Sequence, residues 1–222
     1  MAQYCIFRAA KLQRGHGRHS VGKSIRHLEQ HLESADISRP ERSHLNRSQV
    51  FYENLSAEIK GAIEIHNFFS SRALRSDAAV AFEMIFTYSP EMDEKVSSSE
   101  FYEKVRQFCH EEFKGAKTLR VDFHADETVN HFHVVMLATT PEQKISAREH
   151  LGNKAHLSQL QDRFAELCKP LGLQRGKRYY GQKKKPSHVA LRTYKEKQIE
   201  DIKFLEQMKK KATAELQQEL CR

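Results

Sequence analysis

Between Phe123 and Val134 the chain reads FHADETVNHFHV, which places three histidines and two carboxylates within ten residues. Side chains alternate faces along a strand, so His131 and His133 point the same way, roughly 6 to 7 Å apart at the backbone. A hairpin between residues 119–123 and 131–137 brings His124 opposite them, and three imidazoles then converge on one face. Three neutral nitrogens with open positions make a metal site that leaves room for substrate, and such a set accepts Zn, Mn, Fe, Co or Ni. Asp126 and Glu127 stand beside the set, available to orient its members or to move a proton. A lone strand histidine is ordinarily a satisfied core or surface residue. Three at this spacing, with two acids, favour ligation.

His27 and His31 form a second group, one helical turn apart. Unperturbed histidine titrates near pH 6.5, so each offers a lone pair at neutral pH as ligand or nucleophile. An exposed helical pair with no chemistry fits the same spacing.

The elements that must position these residues can be read from periodicity. Residues 3–8 (QYCIFR) suit a first strand, and Gly15 to Gly22 a flexible loop. Ile25, Leu28 and Leu32 recur at helical spacing, so a helix over 23–32 carries His27 and His31 on its polar face. Residues 33–46 look irregular. Helical character returns over 51–69, with Leu55, Ile59, Ile63 and His66 on one stripe. Residues 80–88 are rich in β-formers, and Ser89-Pro90 closes them. Ser97 with Glu100 matches a capping box, followed by a helix through Phe101, Val105, Phe108 and Cys109. A last helix through Leu157, Leu160, Phe164 and Leu167 stops by Pro170 and Gly172. Strands and helices without regular βαβ alternation predict an α+β fold, with a mainly antiparallel central sheet flanked by helices. The charged stretch 194–220, with Ile199, Ile202, Leu205, Ala212 and Leu216 at 3 and 4 spacing, predicts a C-terminal helical extension.

The chain of 222 residues carries 37 Lys and Arg against 29 Asp and Glu, a net charge of +8 that favours a polyanionic partner. From Gln174 to Lys185 six cations, Arg178 and Lys183 among them, surround Tyr179 and Tyr180 with no acid between. That composition suits unpaired nucleic acid, where cations meet phosphates and rings stack on bases; a solvated basic loop has the same composition. No apolar run is long enough to span a membrane and the N-terminus has no secretory pattern, so the expected setting is a cytoplasm, which the resemblance given below implies is bacterial. The scattered Cys5, Cys109, Cys168 and Cys221 read as reduced thiols.

HADETVNHFH, together with SRPERSHLN (38–46) and RALRSDAAV (72–80), resembles the MobV, or Mob/Pre, plasmid mobilisation relaxases of the HUH endonuclease superfamily, over residues 1 to about 180. The resemblance implies an enzyme that nicks one strand at an origin of transfer, stays joined to the 5′ phosphate, and later rejoins the strand. It implies a central antiparallel sheet with the histidine motif on adjacent middle strands. His124, His131 and His133 would hold Mn²⁺ or Mg²⁺, Glu127 would orient or deprotonate the nucleophile, and Asp126 would support the ligands. The nucleophile in this class is thought to be a histidine in an H-x-E segment, which His27 fits in Arg26-His27-Leu28-Glu29, with His31 a weaker candidate. Many members have HLNY where this chain has His44-Leu45-Asn46-Arg47, so a tyrosine nucleophile there is missing. The usual proline before the second motif histidine is Asn130.

DNA contacts are expected from Arg8, Lys11, Arg26, His44, Asn46, Arg72, Arg75, Arg178 and Lys183, with a structural Arg75–Asp77 pair as the alternative for Arg75. The expected partners are single-stranded or locally unwound origin DNA, a second copy through the C-terminal helix, and a type IV secretion coupling protein. The expected domains are a catalytic unit over 1–190 and a charged helical extension over 191–222. Three other readings share the histidine cluster. A rolling-circle replication initiator would act at a replication origin and normally attack with tyrosine. A small metallohydrolase would turn over without a covalent DNA adduct, and a metal-containing DNA-binding accessory protein would leave plasmid uncut.

Overall fold

Hydrophobic alternation and β-branched or aromatic content place four long strands in one sheet, and two short edge strands complete it. In the computed structural model, which describes residues 3–15, 19–31 and 37–176, the strand order is β2-β4-β5-β3-β1-β6. The strands are β1 (Tyr4–Gln13), β2 (Arg47–Val50), β3 (Ala79–Tyr88), β4 (Lys117–His124), β5 (His131–Leu137) and β6 (Gln174–Arg175). Every pairing is antiparallel except β1 with β6. The helices are α1 (Val21–Glu29), α2 (Leu55–Phe69), α3 (Ser98–Glu112), α4 (Ala147–Leu151) and α5 (Lys154–Cys168).

The two faces of the sheet differ in chemistry because the strand period is two. Phe7, Phe82, Phe86 and Phe132 point to one side, where Phe101 and Phe108 of α3 and Phe164 of α5 meet them. His150 of α4 packs its ring against Phe82 on the same side. Residues of the opposite parity, Arg8, Glu83, Asp122, His124, His131 and His133, point to the other side. There α1 lies across the strands, burying Val21, Ile25 and Leu28.

The capping box at Ser97 and Glu100 is present and opens α3. The segment expected to be irregular, 33–46, contains a short 3-10 helix, Pro40–Leu45, and the edge strand β2 follows it. The turn between β4 and β5 is polar in sequence yet largely buried: Ala125, Asp126 and Asn130 are each at most 4% exposed. A polar loop can be buried only where its hydrogen bonds are met by protein, and residues 38–46 meet them. The described cysteines Cys5, Cys109 and Cys168 are buried free thiols. Arg178, Lys183, Tyr179, Tyr180, Cys221 and the expected 191–222 extension lie outside the described residues, and with them the boundary at residue 190.

Candidate active site

His124 ends β4 and His131 begins β5, and the two are direct cross-strand partners. His133 lies two residues along β5 on the same face, opposite Asp122. Ring centroids of the three are 4.9 to 5.1 Å apart, and one nitrogen from each lies within 4.8 Å of the others.

The hydrogen bonds fix which nitrogen carries a lone pair. His131 Nδ1 donates to the Val129 carbonyl at 2.8 Å and His133 Nδ1 donates to Glu83 Oε1 at 2.6 Å, since neither oxygen can donate. Each ring therefore presents a bare Nε2 when neutral. His124 Nδ1 is buried without any hydrogen-bond partner, a costly state for a polar atom. Burial, then the neighbouring His133, push the His131 pKa down to about 4. Burial, followed by His133, His131 and His31, pushes His124 to about 2. These two rings stay neutral at pH 7 with lone pairs available. The set fits a divalent cation: convergent imidazoles, an orphaned ligand atom, and a carboxylate and a carbonyl steadying two of the rings.

Glu127 lies at the mouth of this set. Its Oε1 is 3.7 Å from His124 Nδ1, 3.9 Å from His131 Nε2 and 3.8 Å from His31 Nδ1. Burial raises its pKa above the ordinary carboxylate range, which suits a group that takes and returns a proton. Asp126 faces the other way. Oδ1 accepts from His31 Nε2 at 2.9 Å, and Oδ2 accepts from Ser43 Oγ and Asn46 Nδ2, both at 2.8 Å. Burial pushes this carboxyl upward, but the three hydrogen bonds outweigh it and hold its pKa at about 2.

The two α1 histidines have different settings. His31, just beyond the helix, is buried with its ring stacked on His124 at 3.7 Å. His27 is exposed, yet close enough to Glu83 and Glu127 to act electrostatically on both carboxylates.

Among the expected DNA contacts, Arg8 is exposed on the histidine face, opposite Ile85, which in turn faces His133. Arg26 is exposed on α1 with Nε on the Gly22 carbonyl. Arg72 is exposed in the connection between α2 and β3, and His44 is exposed with Nδ1 on the Glu41 carbonyl. Three more expected contacts have settings of their own. Lys11 shares the face of Phe7 and pairs with Phe82, so it stands on the side away from the histidines. Both ends of the Asn46 amide are engaged within the protein, donating to Asp126 and accepting from Ala125 N, and so hold the loop. Arg75 makes a two-pronged ion pair with Asp77.

Three positioning groups went unnoticed in the sequence. Glu83 lies in mid-β3 beside His133. Arg39 spans the β4–β5 loop: Nε donates to the Glu127 carbonyl, one terminal nitrogen to Asn130 Oδ1 and the other to Asp93 Oδ2. Ser43 completes the Asp126 clasp. Arg39 and Ser43 sit inside the SRPERSHLN stretch, so the signal for them was that stretch itself; Glu83 had only an acid amid a hydrophobic strand. A cavity of about 360 Å³ adjoins His31 and His124 and is lined by the buried Arg120–Asp122 pair and Glu29.

A family model described as plasmid recombination enzyme (Mob_Pre) matches residues 1–196. A plasmid recombination enzyme type 3 of Staphylococcus aureus is 27% identical over 87% of this chain and 48% of its own length. A plasmid recombination enzyme of Lactiplantibacillus plantarum is 26% identical over 95% of this chain and 58% of its own. The chain thus spans about half the length of these relatives. Among solved structures, the MobM relaxase domain bound to plasmid pMV158 oriT DNA, in a Mn-bound crystal, superposes with a TM-score of 0.67 at 23% identity, covering 87% of this chain and 98% of that one. That likeness establishes the α+β fold. No helix among the described residues is long and apolar enough to cross a membrane.

Proposed function

Because the chain belongs to the plasmid recombination enzyme (Mob_Pre) family, we propose that it is a relaxase catalytic unit, cutting one DNA strand at an origin of transfer and rejoining it. The observation that carries this reading is the set of three imidazoles across β4 and β5, with the orphaned His124 nitrogen and the Glu127 carboxylate at its mouth. His124, His131 and His133 would hold Mn²⁺ or Mg²⁺; the structural relative MobM is described as Mn-bound and in complex with oriT DNA. Held by these imidazoles, a divalent ion would supply positive charge against the anionic phosphodiester and so lower the barrier to attack.

The protein supplies the rest. His27 attacks phosphorus through a neutral ring nitrogen, so an N–P bond forms as the bond to the 3′ oxygen breaks. Glu127 takes the proton the imidazole must lose and returns it to the departing 3′ oxygen. The phosphohistidine keeps enough transfer potential for the 3′ hydroxyl to reverse the step, which rejoining requires. Arg8, Arg26, Arg72 and His44 remain on the exposed surface as candidate phosphate contacts. The setting proposed is a bacterial cytoplasm, with a second copy and a secretion coupling protein as partners.

A second reading places the nucleophile at His31. Asp126 accepts its Nε2 proton and leaves the Nδ1 lone pair 3.8 Å from Glu127. Incubation with supercoiled plasmid carrying the cognate origin and Mn²⁺ separates the two. Wild type should relax the plasmid, chelation or His131→Ala should abolish this, and the trapped 5′ adduct should be acid-labile and base-stable. Mapping that adduct by mass spectrometry to the α1 peptide at His27 supports the first reading, and at His31 the second. An acid-stable phosphotyrosine, or an uncut plasmid with all components present, refutes both.

A further inference from the structure

Glu83 sits in the middle of β3, on the strand next to β5, and its two oxygens have different partners. Oε1 accepts from Nδ1 of His133 at 2.6 Å, and Oε2 accepts from the Ser24 hydroxyl of α1 at 2.9 Å. One carboxylate thereby joins a proposed ion ligand to the helix that carries His27, and Ser24 stands one turn before His27 on that helix.

From this bridge we infer that Glu83 is a positioning residue that couples ion binding at the histidine cluster to the placement of α1. The inference rests on reading the cluster as an ion site and His27 as the attacking group. α1 has nine residues, too few for a stable helix by itself, so tertiary contacts must hold it. Val21, Ile25 and Leu28 anchor its apolar side, but burial has no direction and permits sliding and rotation. A hydrogen bond to a charged acceptor is directional and stronger than a neutral one. The Ser24–Glu83 bond therefore sets the helix's rotation. At the other end Asp126 holds His31, so His27 lies between two carboxylate tethers, three residues after one and four before the other.

The coupling follows from the shared imidazole. A cation drawing on the His133 Nε2 lone pair makes its Nδ1–H a better donor, which strengthens the bond to Glu83. The carboxylate is then held more tightly between ring and helix, and α1 is steadied when the site is loaded. Glu83 is already held below the ordinary carboxylate range, since the His133 and Ser24 hydrogen bonds outweigh its burial.

The test uses the full chain with Mn²⁺ as probe and three readouts: Mn²⁺ affinity by calorimetry, hydrogen exchange of α1 amides with and without Mn²⁺, and nicking kcat and KM. In wild type Mn²⁺ should slow α1 exchange. Ser24→Ala should keep Mn²⁺ affinity within about twofold, lose the Mn²⁺-dependent protection of α1, and lower kcat about tenfold with KM little changed, as loss of one positioning bond does. Ser24→Thr, which keeps the hydroxyl, should restore both. Glu83→Ala should weaken Mn²⁺ binding roughly 10- to 100-fold and abolish the protection. Unchanged protection and kcat in Ser24→Ala, or unchanged Mn²⁺ affinity in Glu83→Ala, overturns the coupling while leaving the ion site in place. A wild type that binds no Mn²⁺ overturns the ion reading and the coupling with it.

Discussion

His131 and His124 are neutral in the fold at pH values where a solvated histidine is charged, and this carries a stability cost in acid. Their folded pKa values, about 4 and about 2, lie below the unfolded value of about 6.5. Between the two values the unfolded chain binds more protons than the native one, so stability is full above pH 6.5 and declines as pH falls toward 4. For His131 alone the depression corresponds to about 3 kcal/mol. Asp126, held at about 2, adds a loss only below its unfolded value of about 4. Because His124 loses a comparable amount over the same range, thermal melts in chelator should show Tm dropping by about 10 to 20 °C from pH 7.5 to 4.5, and His131→Ala should remove about half of that drop. At this scale the sequence revealed the cluster of three histidines, because alternation along β5 is a local rule. It did not reveal Glu83, Arg39 or Ser43: each reaches the site from a segment 50 to 90 residues away, as the His133–Glu83, Arg39–Asn130 and Ser43–Asp126 separations show, and no local pattern encodes such a meeting.

Long amphipathic elements were legible for the same reason that they are stable. The strand over 80–88, the helix behind the Ser97–Glu100 box and the β5 span all fall close to where periodicity and capping chemistry put them. The short edge strand β2, the five-residue α4 and the two-residue β6 did not stand out, since elements of that length owe their conformation to neighbours rather than to their own pattern. The clasp formed by residues 38–46 looked irregular because its order comes from side-chain bonds to Asp126. Capping offers a clean check at this scale. Ser97→Ala removes the hydroxyl that accepts from Glu100 N and should cost about 1 kcal/mol, seen as a Tm loss of about 2 to 4 °C. Because α3 packs on the phenylalanine side, Mn²⁺ affinity should not change.

The described residues as a whole form a sheet with one side given to phenylalanines and helices and the other to imidazoles, carboxylates and α1. The fold class followed from the order of elements, and the sidedness from alternation. The excess of cations could not be apportioned between faces from composition, because the side a cation takes depends on strand register. If DNA lies on the imidazole side, Arg8→Ala should weaken single-stranded origin binding and reduce the slope of log K against log salt by about 0.7, whereas Lys11→Ala should leave both unchanged. Fluorescence anisotropy over a salt series measures this, and equal effects from the two variants would remove the assignment of DNA to that side. The direct pairing of His124 with His131 also limits how this sheet can vary over generations. One residue inserted into β5, or into the regularly paired stretch of β4 from Arg120 to His124, inverts every side chain beyond it, turning the rings toward the oily interior and phenylalanines toward water. Length changes that spare the chemistry are therefore confined to the connections and to the start of β4, where the register already takes up an extra residue between Thr118 and Arg120; the stretches that carry the three rings must be inherited at constant length.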